Sequence, residues 1–323
     1  MNMLKNSAVM FALVFMAFGH CLAQDYPNRP IRMLVPTAAG GGSDIIIRPV
    51  AQKVGEKFKQ TIVVDNRAGA SGIIAVEIAS KSPADGYTLV FATIGNMATN
   101  FAVLPKLPFH PVRDFVPVTK LVESPFIVVV YPGLPINTLA DLVSYGKKSP
   151  GVLSYGTFGV GSFPHLLVEN FGNITGVKFT HVPYKGSAPA QLDLIAGQIS
   201  LMFDSMQSAM PGVRAGRMRV IAIGTKTRQP AAPEVPTFAE AGFGDFEAIA
   251  WWGVFAPAGT PKAIIGLLHK EITAALKSPE VSERLQALGA NPVGKGSDEF
   301  AADLRRDIDR YVKVARESNI RGE

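Results

Sequence analysis

The chain of 323 residues has one cysteine, Cys21, and that residue lies in its N-terminal apolar segment. A protein cut after this segment can have no disulfide, no thiolate nucleophile and no cysteine-ligated metal. Charge is also sparse, at 18% of residues, and the formal excess of +6 is scattered rather than gathered into basic blocks. Without a Lys/Arg run or aromatic–basic interleaving, nucleic acid is not an expected partner. The histidines after the first segment, His110, His165, His181 and His269, show no metal-ligand spacing, and H-E-x-x-H is missing. Gly69 to Gly72 reads G-A-S-G and lacks the second glycine of a G-x-S-x-G elbow. No metal, cofactor or catalytic residue is expected, and the chain does not read as an enzyme.

What is present begins with Lys5, followed by the apolar run Ala8 to Phe18 and small residues around Leu22-Ala23. A basic start, a run too short to span a bilayer and a polar sequel predict a secretory signal, residues 1–23, cut near Ala23. His20 precedes Cys21 where a lipobox needs a small residue, so a lipid anchor is not expected.

Short apolar runs then alternate with helical patterns, which predicts an α/β fold with parallel sheets. Strands are expected at 31–36, 61–66 and 87–93, with helices at 45–58 and 73–81 between them. The pattern restarts with PFIVVVYPG (125–133). It continues through VLSYGT, a helix at 163–171, KFTHVPY, a helix near 189–196, ISLMFDS and RVIAIGT. After AIAWWGVFAPAGTP (248–261) come helices at 262–277, 279–288 and 297–317. The last is amphipathic, with Phe300, Leu304, Ile308, Tyr311 and Val312 on one face. Two βα series with a helical return predict two lobes, 24–125 plus 250–323 and 126–249. The expected hinge strands lie near Pro125 to Val130 and Ala250 to Phe255.

Gly40-Gly41-Gly42-Ser43-Asp44 follows a strand and opens a helix, with Ser43 or Asp44 able to cap it. Such a turn suits an anion, because free N–H groups and the positive helix end face outward. It lacks the spacing of a dinucleotide or triphosphate loop. Gly156 to Ser162 is its counterpart in the second series, with Ser162 a candidate cap. Gly186-Ser187 is a third loop-to-helix start, and Thr93 and Asn96 follow another strand end. His165 suits helix packing or a ligand contact, and Asp204 a strand-end contact or a cap. Trp251 and Trp252 suit core or hinge packing or an aromatic platform.

VP-x-x-x-GGGSD, VVDNRAGASG, PADGYTL, LPFHPVRDF, HVPYKGSAPA, MFDS, VPTFAEAG, WWGVFAPAGTP and RLQALGANPVG occur in order through the chain. In these motifs it resembles the tripartite tricarboxylate transporter receptors, the Bug family. The resemblance implies a two-lobed type II periplasmic binding protein fold with crossing hinge strands. It also implies a small carboxylate held between the lobes by backbone N–H groups and waters.

Carried onto this chain, the ligand-binding positions are Thr37, Ala38, Gly41, Gly42, Ser43 and Asp44, with Thr93 and Asn96, in the first lobe. The second lobe supplies Phe158, Gly159, Ser162, His165, Tyr184, Lys185, Ser187 and Asp204. Thr37 stands where the family often has Phe, and Ala38-Ala39 where Pro is frequent. The implied role is that of a monomeric periplasmic receptor feeding the membrane permease of such a transporter. The alternatives are a ligand-presenting partner of a membrane sensor kinase and a periplasmic hydrolase on the same frame.

Overall fold

A computed structural model describes residues 26–244, 246–317 and 320. The predicted signal segment, with Cys21 and Ala23, lies outside the described residues. Strands β1 (Ile31–Val35), β2 (Ile62–Asn66) and β3 (Thr88–Thr93) lie parallel, with β1 in the middle. Helices α1 (Gly42–Phe58) and α2 (Ile73–Ser80) make the crossovers between them. A tight turn of π-helix at Gly95–Thr99 runs into the short α3 (Asn100–Val103).

β4 (Phe115–Val130) then organises the molecule. Its sequence, FVPVTKLVESPFIVVV, is rich in β-branched residues that fit a strand covered on both faces. The first part pairs antiparallel with β9 (Ile249–Pro257), down to the Pro125–Ile249 pair. From Phe126 onward it pairs instead with β7 (Leu201–Ser205) and, from Ile127, with β8 (Arg219–Ile223). Pro125, with no N–H to give, stands where the partners change. The chain returns beside this point: Phe126 donates to the Ala248 carbonyl at 2.7 Å, and Ala248 donates to that of Gly224 at 2.9 Å.

Beyond β4, α4 (Leu139–Lys148) precedes β5 (Ser154–Thr157), which lies parallel to both β6 (Thr180–Pro183) and β7. Helices α5 (Phe163–Thr175), α6 (Ser187–Ile195) and α7 (Met206–Arg214) follow β5, β6 and β7 respectively. After β9 come α8 (Lys262–Lys277), α9 (Pro279–Ala287), β10 (Asn291–Lys295) and α10 (Ser297–Glu317). The strand path is β2-β1-β3-β9-β4-β7-β5-β6, with β8 and β10 also on β4.

Several expected boundaries shift. The strand expected at 125–133 begins ten residues earlier, at Phe115, because its β9 pairing partner is distant in sequence. β10 was not expected. NPVGK has no strand signature, and the segment is held by antiparallel pairing with β4 at Lys120 to Glu123. Helix α1 begins at Gly42 rather than Ile45 and is preceded by Gly41 with no side-chain cap, so neither Ser43 nor Asp44 caps it. The C-terminal helix buries Phe300, Leu304, Ile308 and Tyr311 as its periodicity predicts. Phe300 meets Trp251 edge-on at 4.9 Å. Among the described residues no helix is long and apolar enough to cross a membrane.

Candidate functional site

The strands form two blocks joined by β4, one of β1–β3, β9 and β10 and the other of β5–β8; parallel strands deliver their following helices at one end, so helix starts collect where the blocks meet. Four helices, α1, α5, α6 and α7, begin around one enclosed cavity, which is lined at those starts by Gly42 and Ser43, Ser162 and Phe163, Gly186 and Ser187, and Ser205. Thr37, Thr93, Asn96, Phe158 and Lys185 complete the predicted residues on its wall. The cavity volume is ≈ 40 Å³. Since one water needs about 10–15 Å³ on that measure, the space suits a slender molecule and not a nucleotide.

The remaining predicted residues lie behind or beside this wall. Asp44 is committed to bracing the first loop. It accepts from the Gly40 N–H at 3.0 Å, from Arg48 Nε at 2.8 Å and from Asn66 Nδ2 at 3.1 Å. Burial raises its pKa, but those bonds outweigh burial and hold the carboxyl below its usual range. Ala38 accepts from the Gly41 N–H at 3.1 Å, closing the turn in which Gly40 has φ 79°. Asn66 also donates to the Thr37 carbonyl at 3.0 Å.

In the second block, Gly159 and His165 shape the loop before α5. Ser162 Oγ donates to the Gly159 carbonyl at 2.6 Å, and His165 Nδ1 accepts the Gly161 N–H at 3.1 Å. That acceptor role requires a neutral imidazole, and burial pushes its pKa down to about 4. His165 stacks on His181 at 4.1 Å. Tyr184 donates to Asp193 at 2.6 Å. Asp204 is fully buried one layer back: it accepts from Ser187 Oγ and Gln191 Nε2, each at 2.7 Å, and from the Ser205 N–H. Burial pushes it up to about 6, and those hydrogen bonds only partly offset this. Its visible work is to orient Ser187.

Residues that the motif reading left out also line the cavity. Ser71 and Gly72 come from the AGASG turn, which shares the strand-to-helix pattern of the other loops. Ser71 adopts φ 54°, and its carbonyl accepts from Asn96 Nδ2 at 2.9 Å. Phe126, Phe163, Ala250 and Trp252 form an apolar wall. Trp252, on crossing strand β9, donates its indole N–H to Ser43 Oγ at 3.0 Å. In sequence these residues look like core, since nothing local separates a core wall from a cavity wall.

The electrostatics are one-sided. Among the described residues no carboxylate lines the cavity, and Lys185 is its cation. Four helix starts add partial positive charge and free N–H groups. The arrangement can hold an anion, and among the described residues no group of three or more His, Cys, Asp or Glu is placed to hold a metal.

Comparison with known proteins agrees with this geometry. The description "Tripartite tricarboxylate transporter family receptor" matches residues 46–320. BugT of Bordetella pertussis is 36% identical over 321 residues, covering 98% of each chain. The structure of Rhodopseudomonas palustris Rpa4515 with adipate is 38% identical with a TM-score of 0.89, covering 92% of this chain and 99% of that one. MatC of the same organism, with bound malate, is 32% identical with a TM-score of 0.86, covering 90% and 99%. The fold is that of the periplasmic binding proteins, and this chain belongs to the tripartite tricarboxylate transporter receptors, the Bug family, as a binding receptor and not an enzyme.

Proposed function

We propose that this receptor works in the periplasm, after loss of its leader near Ala23, where it captures a small carboxylate and delivers it to a tripartite tricarboxylate-type permease. It acts as a monomer of two lobes, 24–125 plus 250–323 and 126–249, that close on the ligand about the crossing strands. The convergence of four helix starts on a cavity wall without acids carries this reading. The adipate and malate bound by its structural relatives support the same ligand class.

Magnitudes constrain how the site works. A helix end contributes about 0.3–1 kcal/mol to an exposed anion and up to about 2 kcal/mol to a partly buried one. A micromolar complex needs roughly 8 kcal/mol. Several charge-assisted hydrogen bonds, each about 1.5–3 kcal/mol, must therefore act together inside the closed cavity. A thermal-shift screen of mono-, di- and tricarboxylates tests the reading. The right ligand raises the melting temperature with its concentration, whereas a screen in which sugars or cations shift it and carboxylates do not would reject it.

A further inference from the structure

Asp204, near the end of β7, is fully buried and stands one side chain away from the cavity. It accepts from Ser187 Oγ, Gln191 Nε2 and the Ser205 N–H, each at 2.7 Å, and both Ser187 and Ser205 line the cavity. β4 sets Ile127 opposite Asp204, and Ser208 of α7 closes the cluster with a 2.7 Å bond to Ser187 Oγ. Among the described residues every group bonded to this carboxyl is neutral, so once ionised it rests on dipoles alone. Lys185, two residues before Ser187, is the cation of the same wall. An anion seated at the starts of α6 and α7 therefore brings a second negative charge within a side chain of the first. Two carboxylates sharing one site do not both ionise freely, and the pKa of one rises.

We infer that the receptor binds its carboxylate together with one proton, which Asp204 takes from solvent as the ligand enters. The inference rests on the carboxylate reading above and adds a co-ligand to that binding step. Burial already pushes Asp204 up to about 6, so a further rise on binding keeps it protonated at neutral pH. The hydrogen bonds allow the change. The proton settles on Oδ2, and Asp204 then donates to Ser187 Oγ, reversing the present bond. Ser187 turns its own proton to the anion, while Gln191 Nε2 keeps acceptors in Ser187 Oγ at 3.0 Å and Ser208 Oγ at 2.9 Å. The Ser205 N–H stays on Oδ1. Every donor keeps an acceptor, and the only new covalent bond is the O–H of Asp204.

A pH-stat counts the proton directly. Adipate, malate and benzoate serve as probes, and the tightest binder is mixed with the protein at fixed pH between about 6.5 and 8. Acid must be added to hold the pH, approaching one proton per bound ligand, and calorimetry should show affinity falling by up to about tenfold per pH unit. Asp204→Asn carries a neutral amide where the bound parent carries a neutral carboxyl. It should take up no proton and keep a level affinity across the range. Binding by the parent without proton uptake, or equal uptake in Asp204→Asn, would overturn the inference while leaving the carboxylate reading in place. Should the variant fail to fold, the parent's proton count decides alone, and difference infrared spectra should show a protonated carboxyl appearing with ligand. If none of the probes binds even at about pH 6, the carboxylate reading itself fails, and this inference with it.

Discussion

Ser71 Oγ donates a hydrogen bond to the Val160 carbonyl and so ties the turn after β2 to the loop after β5. The two blocks meet closely here: a Cβ on Gly159 would collide with Ser71 Oγ. Thr99 Oγ1 makes a second tie, to the Gly161 carbonyl at 2.9 Å. Both bonds exist only while the blocks are together. Ser71→Ala should therefore speed ligand release about two- to tenfold, the equivalent of about 0.5–1.5 kcal/mol, with little change in association. Stopped-flow dissociation measures this, and an unaltered release rate would show that the tie does not hold the closed state.

Gly42 tests the seat at the start of α1. Its backbone is helical, so alanine brings no φ penalty, and the nearest atoms to an added Cβ are the side-chain ends of Ser205 and Gln207. Gly42→Ala should keep the fold with a modestly lower melting temperature, because the buried Ser205 and Gln207 side chains must give way to the methyl group, and should lose carboxylate affinity at least about tenfold as the start of α1 is displaced. Calorimetry beside a melting curve separates the two effects. Parental affinity would move the seat to the starts of α5 and α6.

The Trp252–Ser43 bond ties a crossing strand to the first turn of α1. Trp252→Phe keeps an aromatic wall and removes the donor. A loss of about 0.5–1.5 kcal/mol in stability is expected, with weaker carboxylate binding. Denaturant midpoints and ligand titrations check both, and a variant equal to the parent in each would leave the bond without consequence.

Stability should rise with pH between about 4 and 6.5. His165 and His181 are pushed down to about 4, the first by burial and the second by burial and then by its neighbour His165. Between that value and their unfolded pKa the unfolded chain holds the extra protons, so falling pH favours unfolding. Asp204, pushed up to about 6 by burial, acts with the opposite sign. It keeps its proton in the fold after the unfolded chain has lost it, and so costs stability as pH rises from its unfolded pKa to about 6. Asp307, also pushed up by burial, adds to that opposing side; the two histidines still set the sign, and Asp204→Asn should steepen the rise. Melting temperatures across this range test the sign, and a flat or falling profile would contradict it.

Asp303, on α10, accepts from Lys120 on β4 at 3.0 Å and from Lys295 on β10 at 3.0 Å, with Arg306 also on it at 2.6 Å. Burial would raise its pKa, but its lysine and arginine partners hold the carboxyl far below its usual range. Asp303→Ala leaves Lys120, 4% exposed, with Glu123 as its remaining carboxylate partner among the described residues. Removing one member of a buried pair costs about 3–5 kcal/mol, and chemical denaturation should show a loss toward the low end because Glu123 remains. A loss below about 1 kcal/mol would mean that the cluster is solvated, as exposed pairs are.

The α/β class, the strand–helix alternation and the amphipathic last helix were legible from the sequence, because period and turn chemistry are local properties of the chain. So were the Gly-rich turns at Gly40 to Asp44 and Gly156 to Ser162, which must bend whatever they pack against. Only tertiary structure decided which polar residues face the cavity and which stand behind it. Asp44 and Asp204 look like site residues in their motifs, yet each is taken up by protein partners, Asp44 by Gly40, Arg48 and the more distant Asn66, and Asp204 by Ser187 and Gln191. Trp252 and Phe126 look like core and instead form the cavity wall, because β4 and β9 pass between the two blocks. Gln207 carries no sequence signal at all. Its carboxamide packs against Gly42 only because folding brings the start of α7 against the start of α1, a contact between segments more than 150 residues apart.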